Sequence, residues 1–251
     1  MRICVVQTRP AKGNIQANIQ AHKKLIELAV FNKTDIIVFP ELSITGYEPG
    51  LAAKLAGDIN DSRLNDFQII SDNKNISIGV GMPLKADKGI LISMIVFEPN
   101  KPRQVYYKQH LHEDEFPYFI CGEKKEPLGK NKIAIAICYE LSVPEHAKNA
   151  YKTGSKIYLV SIAKSVSGVE KAVRTLAETA NRYSMTVLMS NCVGHCDNFD
   201  CGGKTSIWNN KGMLLGQLDD TNEGILIIDT TTQVVIEKTI PNDLISENKP
   251  V

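Results

Sequence analysis

Ile133-Ala134-Ile135-Ala136-Ile137-Cys138-Tyr139-Glu140-Leu141 is the stretch that decides the fold class. An unbroken apolar run rich in β-branched isoleucine is the pattern of a strand buried on both faces, as in a sheet covered by helices. The run ends in a thiol, and a polar segment with Pro144 three residues after Leu141 suits a turn into a helix with proline in its first turn. Two earlier apolar runs end in the same way with a charged side chain. Ile36-Ile37-Val38-Phe39-Pro40 leads into Glu41, and Gln104-Val105-Tyr106-Tyr107 leads into Lys108. Strand ends are where open α/β sheets place their sites. An acid, an amine and a thiol at three such ends are the parts of a nucleophilic amide-cleaving centre.

Outward from these strands the chain alternates short apolar runs with longer amphipathic ones. Strands are expected at residues 2–7, 35–39, 77–82, 90–98, 104–108, 132–138, 156–162, 186–191, 206–208, 213–218 and 224–229. Helices are expected at 14–31, 52–55, 62–73, 144–151 and 169–183, the last with Val173, Leu176, Ala177 and Ala180 on one face. Residues 86–89, 99–102 and 209–212 carry turn signals, residues 194–204 read as a Gly- and Cys-rich loop, and 240–251 as a polar tail. No repeat or linker divides the chain, so residues 1–251 are expected to form one α/β domain of mixed sheets covered by helices.

Composition narrows the function. The chain has 251 residues, long enough for a substantial core. Lys and Arg total 29 against 28 Asp and Glu, which argues against a nucleic-acid binder with its usual basic excess. No run approaches the ~20 apolar residues of a membrane span, and the N-terminus lacks a signal peptide's apolar core, so a cytoplasmic location is expected. Six cysteines at 4, 121, 138, 192, 196 and 201 then read as free thiols, a nucleophile or ligands rather than a disulfide framework.

Three segments identify a family. Phe39-Pro40-Glu41-Leu42-Ser43-Ile44-Thr45-Gly46-Tyr47 resembles the glutamate motif of the nitrilase superfamily of carbon–nitrogen hydrolases. Tyr107-Lys108-Gln109-His110-Leu111 resembles its lysine motif, and Ile137-Cys138-Tyr139-Glu140-Leu141-Ser142-Val143-Pro144-Glu145 its cysteine motif. Their order and separations match the family, and the likeness runs from the first strand to about Asp229. The resemblance implies a four-layer α-β-β-α sandwich with the site at one end between two sheets. It implies Cys138 as nucleophile, Glu41 as proton shuttle, and Lys108 with the Tyr139 backbone N–H facing an oxyanion. It also implies a second glutamate that positions the lysine: Glu115, seven residues past Lys108, fits the spacing best, and Glu113 is the alternative. Two departures stand out: Glu140 where the family often has Asp, and Ser142 where it often has Arg. Tyr47, Tyr118, Phe119 and Ile162-Ala163-Lys164 fall in segments that could line the pocket.

A second constellation competes. Cys192, His195, Cys196 and Cys201 form C-x₂-H-C-x₄-C, close enough in sequence for soft ligands of zinc. Adjacent His195 and Cys196 are awkward for joint tetrahedral chelation. The resemblance aligns the segment with a strand end and a glycine-rich loop, which implies structural thiols and no metal. The expected activity is therefore thiol-dependent hydrolysis of a small linear amide to a carboxylate and ammonia, without cofactor, nucleic acid or membrane as partner. Nitrile or N-carbamoyl hydrolysis and amide-forming acyl transfer are alternatives on the same scaffold. A metal-stabilised binding protein without catalysis is the alternative of another class. A papain-type protease is disfavoured, since no Cys-Gly-X-Cys-Trp segment occurs. The resemblance further implies a homodimer formed through the helices after the cysteine.

Overall fold

The computed structural model describes residues 1–123 and 133–240. In chain order the elements are β1 (Arg2–Thr8), α1 (Ile15–Phe31), β2 (Ile36–Val38), α2 (Ala52–Leu55), α3 (Asn65–Lys74), β3 (Ser77–Ala86), β4 (Gly89–Phe97) and β5 (Gln104–Tyr107). There follow β6 (Ile133–Ile137), α4 (Pro144–Lys152), β7 (Ile157–Ser161), α5 (Val166–Tyr183), β8 (Thr186–Cys196), β9 (Phe199–Gly202), β10 (Ser206–Trp208), β11 (Leu214–Gln217), β12 (Glu223–Asp229) and β13 (Val235–Ile240).

Two mixed sheets result. The first runs β13-β12-β1-β2-β3-β4-β5, and the second β6-β7-β8-β10-β11. They join where β1 pairs in parallel with β8, Gln7 opposite Asn191 and Thr8 opposite Cys192. In each half a parallel trio with helical crossovers forms the centre: β1-β2-β3 with α1 and α3, and β6-β7-β8 with α4 and α5. Antiparallel strands extend both sheets, and parallel β6 forms one edge of the second.

The period-2 alternation of strands explains the layering. On β1, Ile3 and Val5 enter a core shared with Ile135, Leu159 and Leu188, which the register places on one face of the second sheet. Their neighbours Cys4 and Val6 enter a second core with Ile15, Ile19, Leu25 and Ile26 of α1 and Phe67 of α3. A sheet apolar on both faces must be covered twice. The second sheet is covered on its far side by α5, whose Val169, Ala172, Leu176 and Ala180 are fully buried. This is the four-layer α-β-β-α sandwich. Within α5 the buried stripe lies one position from the expected one: Val173 and Ala177 are half-buried at its margin. The helix also starts earlier, at Val166, because Ser165 accepts from the Gly168 N–H and caps it.

Two expectations need correction. Residues 194–204 are largely not a loop. β8 continues to Cys196, turns at Asp197 and Asn198, and returns as β9 with Cys196 opposite Phe199 and Gly194 opposite Cys201. Asp197 takes a positive φ of 47°, a conformation its short polar side chain tolerates. Val235–Ile240 forms a strand where the sequence pattern predicts none. It pairs antiparallel with β12 at the sheet edge, where Glu237, Lys238 and Thr239 face solvent and obscure the apolar alternation. The expected tail beyond residue 240, and Lys132 at the start of the cysteine strand, lie outside the described residues. Among the described residues no helix is long and apolar enough to cross a membrane.

The Glu41 segment is positioned by close packing. Leu42 has φ 51° and sits directly over β3, where Ile44 N–H donates to the Gly81 carbonyl. A Cβ on Gly81 would collide with the Leu42 backbone nitrogen and the Pro40 carbonyl oxygen. From the other side, buried His22 of α1 stacks on Phe39 at 3.9 Å between ring centroids. Its Nδ1 bonds the Asn18 carbonyl at 2.7 Å, which makes it the donor there, so Nε2 accepts from Ser43 Oγ at 2.9 Å. Desolvation lowers the His22 pKa to about 3, so the ring is neutral at working pH. Gly81→Ala should therefore destabilise the protein by about 1–3 kcal/mol. It should also reduce turnover beyond what partial unfolding explains, because the displaced backbone carries Glu41. Urea unfolding and activity at a temperature where the variant is fully folded check both parts.

Candidate active site

The charged strand ends meet at the C-terminal ends of the parallel strands, between the two sheets. Lys108 follows β5; its N–H donates to the Ile92 carbonyl at 2.9 Å, and its carbonyl accepts from Gly122 at 2.7 Å. The side chain is fully buried. Its Nζ donates to Glu41 Oε1 at 2.7 Å and to Glu115 Oε1 at 2.6 Å. An ammonium has three N–H donors, so one remains for another acceptor. Burial opposes the charge on Lys108, yet Glu41, Cys138 and Glu115 around it raise its pKa above the ordinary value. The lysine is therefore a permanent cation.

The two glutamates differ in how fully they are occupied. Glu115 ends a single helical turn, Glu113–Glu115. Its Oε1 accepts from Lys108 and from the Tyr47 hydroxyl at 3.0 Å, and its Oε2 from the His112 N–H at 2.8 Å. Both oxygens are engaged. On Glu41, Oε1 is held by Lys108, while Oε2 is buried without a hydrogen-bond partner among the described residues. Such an atom is costly to keep unless it has a task. Desolvation raises the Glu41 pKa, Lys108 opposes that, and the charge of Glu115 adds to it. A carboxylate poised in this way suits proton transfer. Glu113 is exposed, so of the two candidates it is Glu115 that meets the lysine.

Cys138 occupies the junction between β6 and a short helical turn, Cys138–Ser142, with φ 46°. Left-handed backbone at a non-glycine residue is strained and is tolerated where surroundings impose it. The thiol is 8% exposed and lies beside the Glu41 carboxylate. Desolvation and the Glu41 charge push its pKa up to about 11, with Lys164 and Lys108 opposing. At neutral pH it is a thiol. The Tyr139 N–H lies in the first turn after the strand, where backbone donors have no partner within the turn itself.

Glu140 proves to be structural in a way its position did not reveal. One oxygen accepts from Ile137 N–H at 2.7 Å and the Tyr106 hydroxyl at 2.8 Å, the other from Gln109 N–H at 2.6 Å. It thus ties the backbone before Cys138 to the backbone after Lys108. His146 reaches the same Tyr106 hydroxyl at 2.8 Å and Tyr158 at 2.8 Å. The signal available in the sequence was a glutamate three residues after a strand end, the spacing at which a side chain reaches back to the N-cap N–H. Tyr47, expected as a pocket lining, anchors Glu115 through its hydroxyl. Ser161 Oγ of β7 donates to the Phe39 carbonyl at 2.9 Å, joining the second sheet to the Glu41 segment. Tyr118 and Cys121 are exposed, and Phe119 is buried. A cavity of about 570 Å³ lies at the opposite ends of the strands, lined by Met1, Asp35, Ser77 and Ile133 among others, and contains none of these groups.

The second constellation divides. The Sγ atoms of Cys192, Cys196 and Cys201 lie within 4.8 Å of one another and are buried. His195 is not with them: it is exposed, and its Nδ1 pairs with Asp200 at 3.0 Å.

The chain is similar to known proteins over most of its length. The family model described as carbon-nitrogen hydrolase matches residues 2–238. A Pseudomonas protegens protein named hydrolase in pqqF 5′region is 25% identical, covering 100% of this chain and 90% of its own. A glutamine-dependent NAD(+) synthetase of Acinetobacter baylyi is 28% identical over 88% of this chain, which spans only 42% of that protein. Among solved structures, the NitN amidase of Nesterenkonia sp. AN1 superposes with a TM-score of 0.83 at 20% identity, covering 99% of this chain and 96% of its own.

Removing the central cation tests the electrostatics. Lys108→Met leaves Glu41 and Glu115 facing one another in a buried site and should cost about 3–5 kcal/mol at neutral pH. Without the lysine, burial and the neighbouring carboxylate leave the folded pKa of Glu41 above its unfolded value. The folded variant then binds more protons, so its stability should fall as pH rises through that value. The deficit against wild type should be smaller at pH 5 than at pH 8, measured by urea unfolding at each pH. An equal deficit at both would contradict the arrangement of charges.

Proposed function

The chain belongs to the carbon-nitrogen hydrolase family, and we propose that it hydrolyses a small linear amide through a Cys138 thioester, releasing ammonia and a carboxylate. The observation that carries this reading is the unoccupied Glu41 Oε2 beside a protonated, buried thiol, with a fixed cation on the other oxygen. Glu41 takes the Cys138 proton as sulfur attacks the amide carbon. The developing oxyanion is met by the remaining N–H of Lys108 and by the Tyr139 N–H, donors of a kind whose individual loss typically costs ~10²–10³ in rate. The tetrahedral adduct collapses with loss of the C–N bond, and Glu41 returns the proton to the leaving nitrogen. Glu41 then deprotonates a water that attacks the thioester, and the thiol departs reprotonated.

The division of labour between the glutamates follows from their bonding. Glu115, with both oxygens occupied, orients Lys108 and exchanges no proton. Glu41, tethered through one oxygen only, keeps its aim while the other oxygen changes protonation state. An amine is a poor leaving group unless protonated, and a glutamic acid beside the thiol supplies that proton. This feature favours an amide over a nitrile, whose first step expels nothing.

Two experiments bear on the proposal. Cys138→Ala should abolish turnover with the fold intact, because the change removes little volume. More than a few per cent of residual activity would exclude the thiol as nucleophile. Ammonia and carboxylate formation should be measured on matched amide and nitrile pairs with the same side group. The amide should be consumed faster. A clear preference for the nitrile, or cleavage of a carbamoyl compound with no ammonia from any amide, would overturn the substrate assignment.

A further inference from the structure

Outside the Glu41–Lys108–Cys138 site, among the described residues one group of metal-ligating side chains converges: Cys192, Cys196 and Cys201. Its origin is the register of the β8–β9 hairpin. Cys192, Gly194 and Cys196 point to one face of β8, and Cys201 stands opposite Gly194 on β9, so it shares that face. The three sulfurs lie within 4.8 Å of one another, and the Arg9 side chain packs where a Cβ on Gly194 would point. His195, one residue out of phase, points to solvent.

All three cysteines are buried. Sulfurs within 4.8 Å of one another need little movement to close on one ion, since a Zn–S bond is about 2.3 Å and three such bonds place the sulfurs roughly 4 Å apart.

We propose that Cys192, Cys196 and Cys201 form a site for a single soft d¹⁰ metal ion, Zn²⁺ or Cu⁺, held by three sulfurs and separate from the catalytic residues. Thiolates select these ions over hard cations. Binding displaces the thiol protons to solvent, up to three per ion, and changes no oxidation state. With Zn²⁺ a fourth donor completes the tetrahedron. With Cu⁺ three sulfurs suffice.

The test uses the full chain as Cys138→Ala, which removes the nucleophile as a rival ligand, kept fully reduced and anaerobic. Zn²⁺ and Cu⁺ are titrated separately against chromophoric chelators, with proton release followed in weak buffer. The expected result is one equivalent of at least one ion, proton release, and a rise in Tm with ion concentration. Adding Cys196→Ser or Cys201→Ser should weaken binding by at least about 100-fold, exceeding the loss that outer-shell changes alone produce. Circular dichroism establishes that each variant is folded. Should one serine variant fail to fold, the other carries the comparison, with Cys192→Ala as a third. The two titrations identify the ion. Binding of neither ion at one equivalent, or binding of unchanged strength in the folded variants, would overturn the proposal. Because the measurement is made in a chain that lacks the nucleophile, its failure is independent of whether the amidase reading holds.

Discussion

A buried ammonium shared by two buried carboxylates is the constraint on which this site depends. Lys108 is fully buried, and Glu41 and Glu115 are each 1% exposed. Placing such charges in a protein interior is costly, and only close geometry with further hydrogen bonds compensates. The compensation here comes from distant parts of the chain: the segment after β2 supplies Glu41, β5 leads to Lys108, and the loop beyond it supplies Glu115. None of these can leave without stranding a charge. The rest of the architecture can be understood as the means of holding those segments at 2.6–2.7 Å from one nitrogen. β3 presses a side-chain-free Gly81 beneath the Glu41 segment, α1 fixes Ser43 through His22, and Glu140 ties the lysine segment to the cysteine segment.

The two carboxylates are chemically identical and are distinguished by their neighbours alone. Saturation of Glu115 by Lys108, Tyr47 and His112 leaves it nothing to exchange. The bare Oε2 of Glu41 leaves that residue under-solvated, which raises its proton affinity at the place where the thiol must lose a proton. A thiol pushed up to about 11 is inert by itself. On the proposed mechanism its proton moves together with bond formation, so the distance between sulfur and carboxylate matters more than the thiol's resting ionisation. The positive φ at Cys138 turns the chain out of the relaxed path of the strand at this residue.

Much of this was legible in the chain because burial writes directly onto sequence. Runs such as 133–137 can be nothing but interior strands, and the residue just past an interior strand stands at the rim of its sheet. The charged residues after two such strands and the thiol after a third were therefore recognisable before any geometry, and the three motifs supplied their grouping. The hidden part is relational. Glu140 looked like a minor variant of a motif position, since its three donors come from Ile137, Tyr106 and Gln109, two of them far away in sequence. Edge strand β13 was obscured because one side of it is polar. The 194–204 segment misled because glycines suggest a loop, although period-2 alternation places His195 away from Cys192 and Cys196 once the segment is read as a hairpin.

Tyr47 shows how the two sulfur-bearing parts of the molecule are linked. Its hydroxyl donates to Glu115, and its ring packs against Phe199 of β9 at 5.9 Å between centroids. The residue that helps hold the lysine cluster is thus itself held by the β8–β9 hairpin. Near it, Asp197 N–H donates to Glu48, whose other oxygen pairs with Lys12 at 2.7 Å. A shift of the hairpin therefore has a short mechanical path to Glu115: it moves the Tyr47 backbone, the hydroxyl moves with it, and Glu115 loses one of the bonds that aim Lys108. Glu41 lies one step further along that path, bonded to Lys108 at 2.7 Å, with its own backbone positioned by β3 and α1. Disturbance from the hairpin should thus reach Lys108 before it reaches Glu41, which makes the Tyr47–Glu115 contact the physical link between the β8–β9 hairpin and the buried charge cluster.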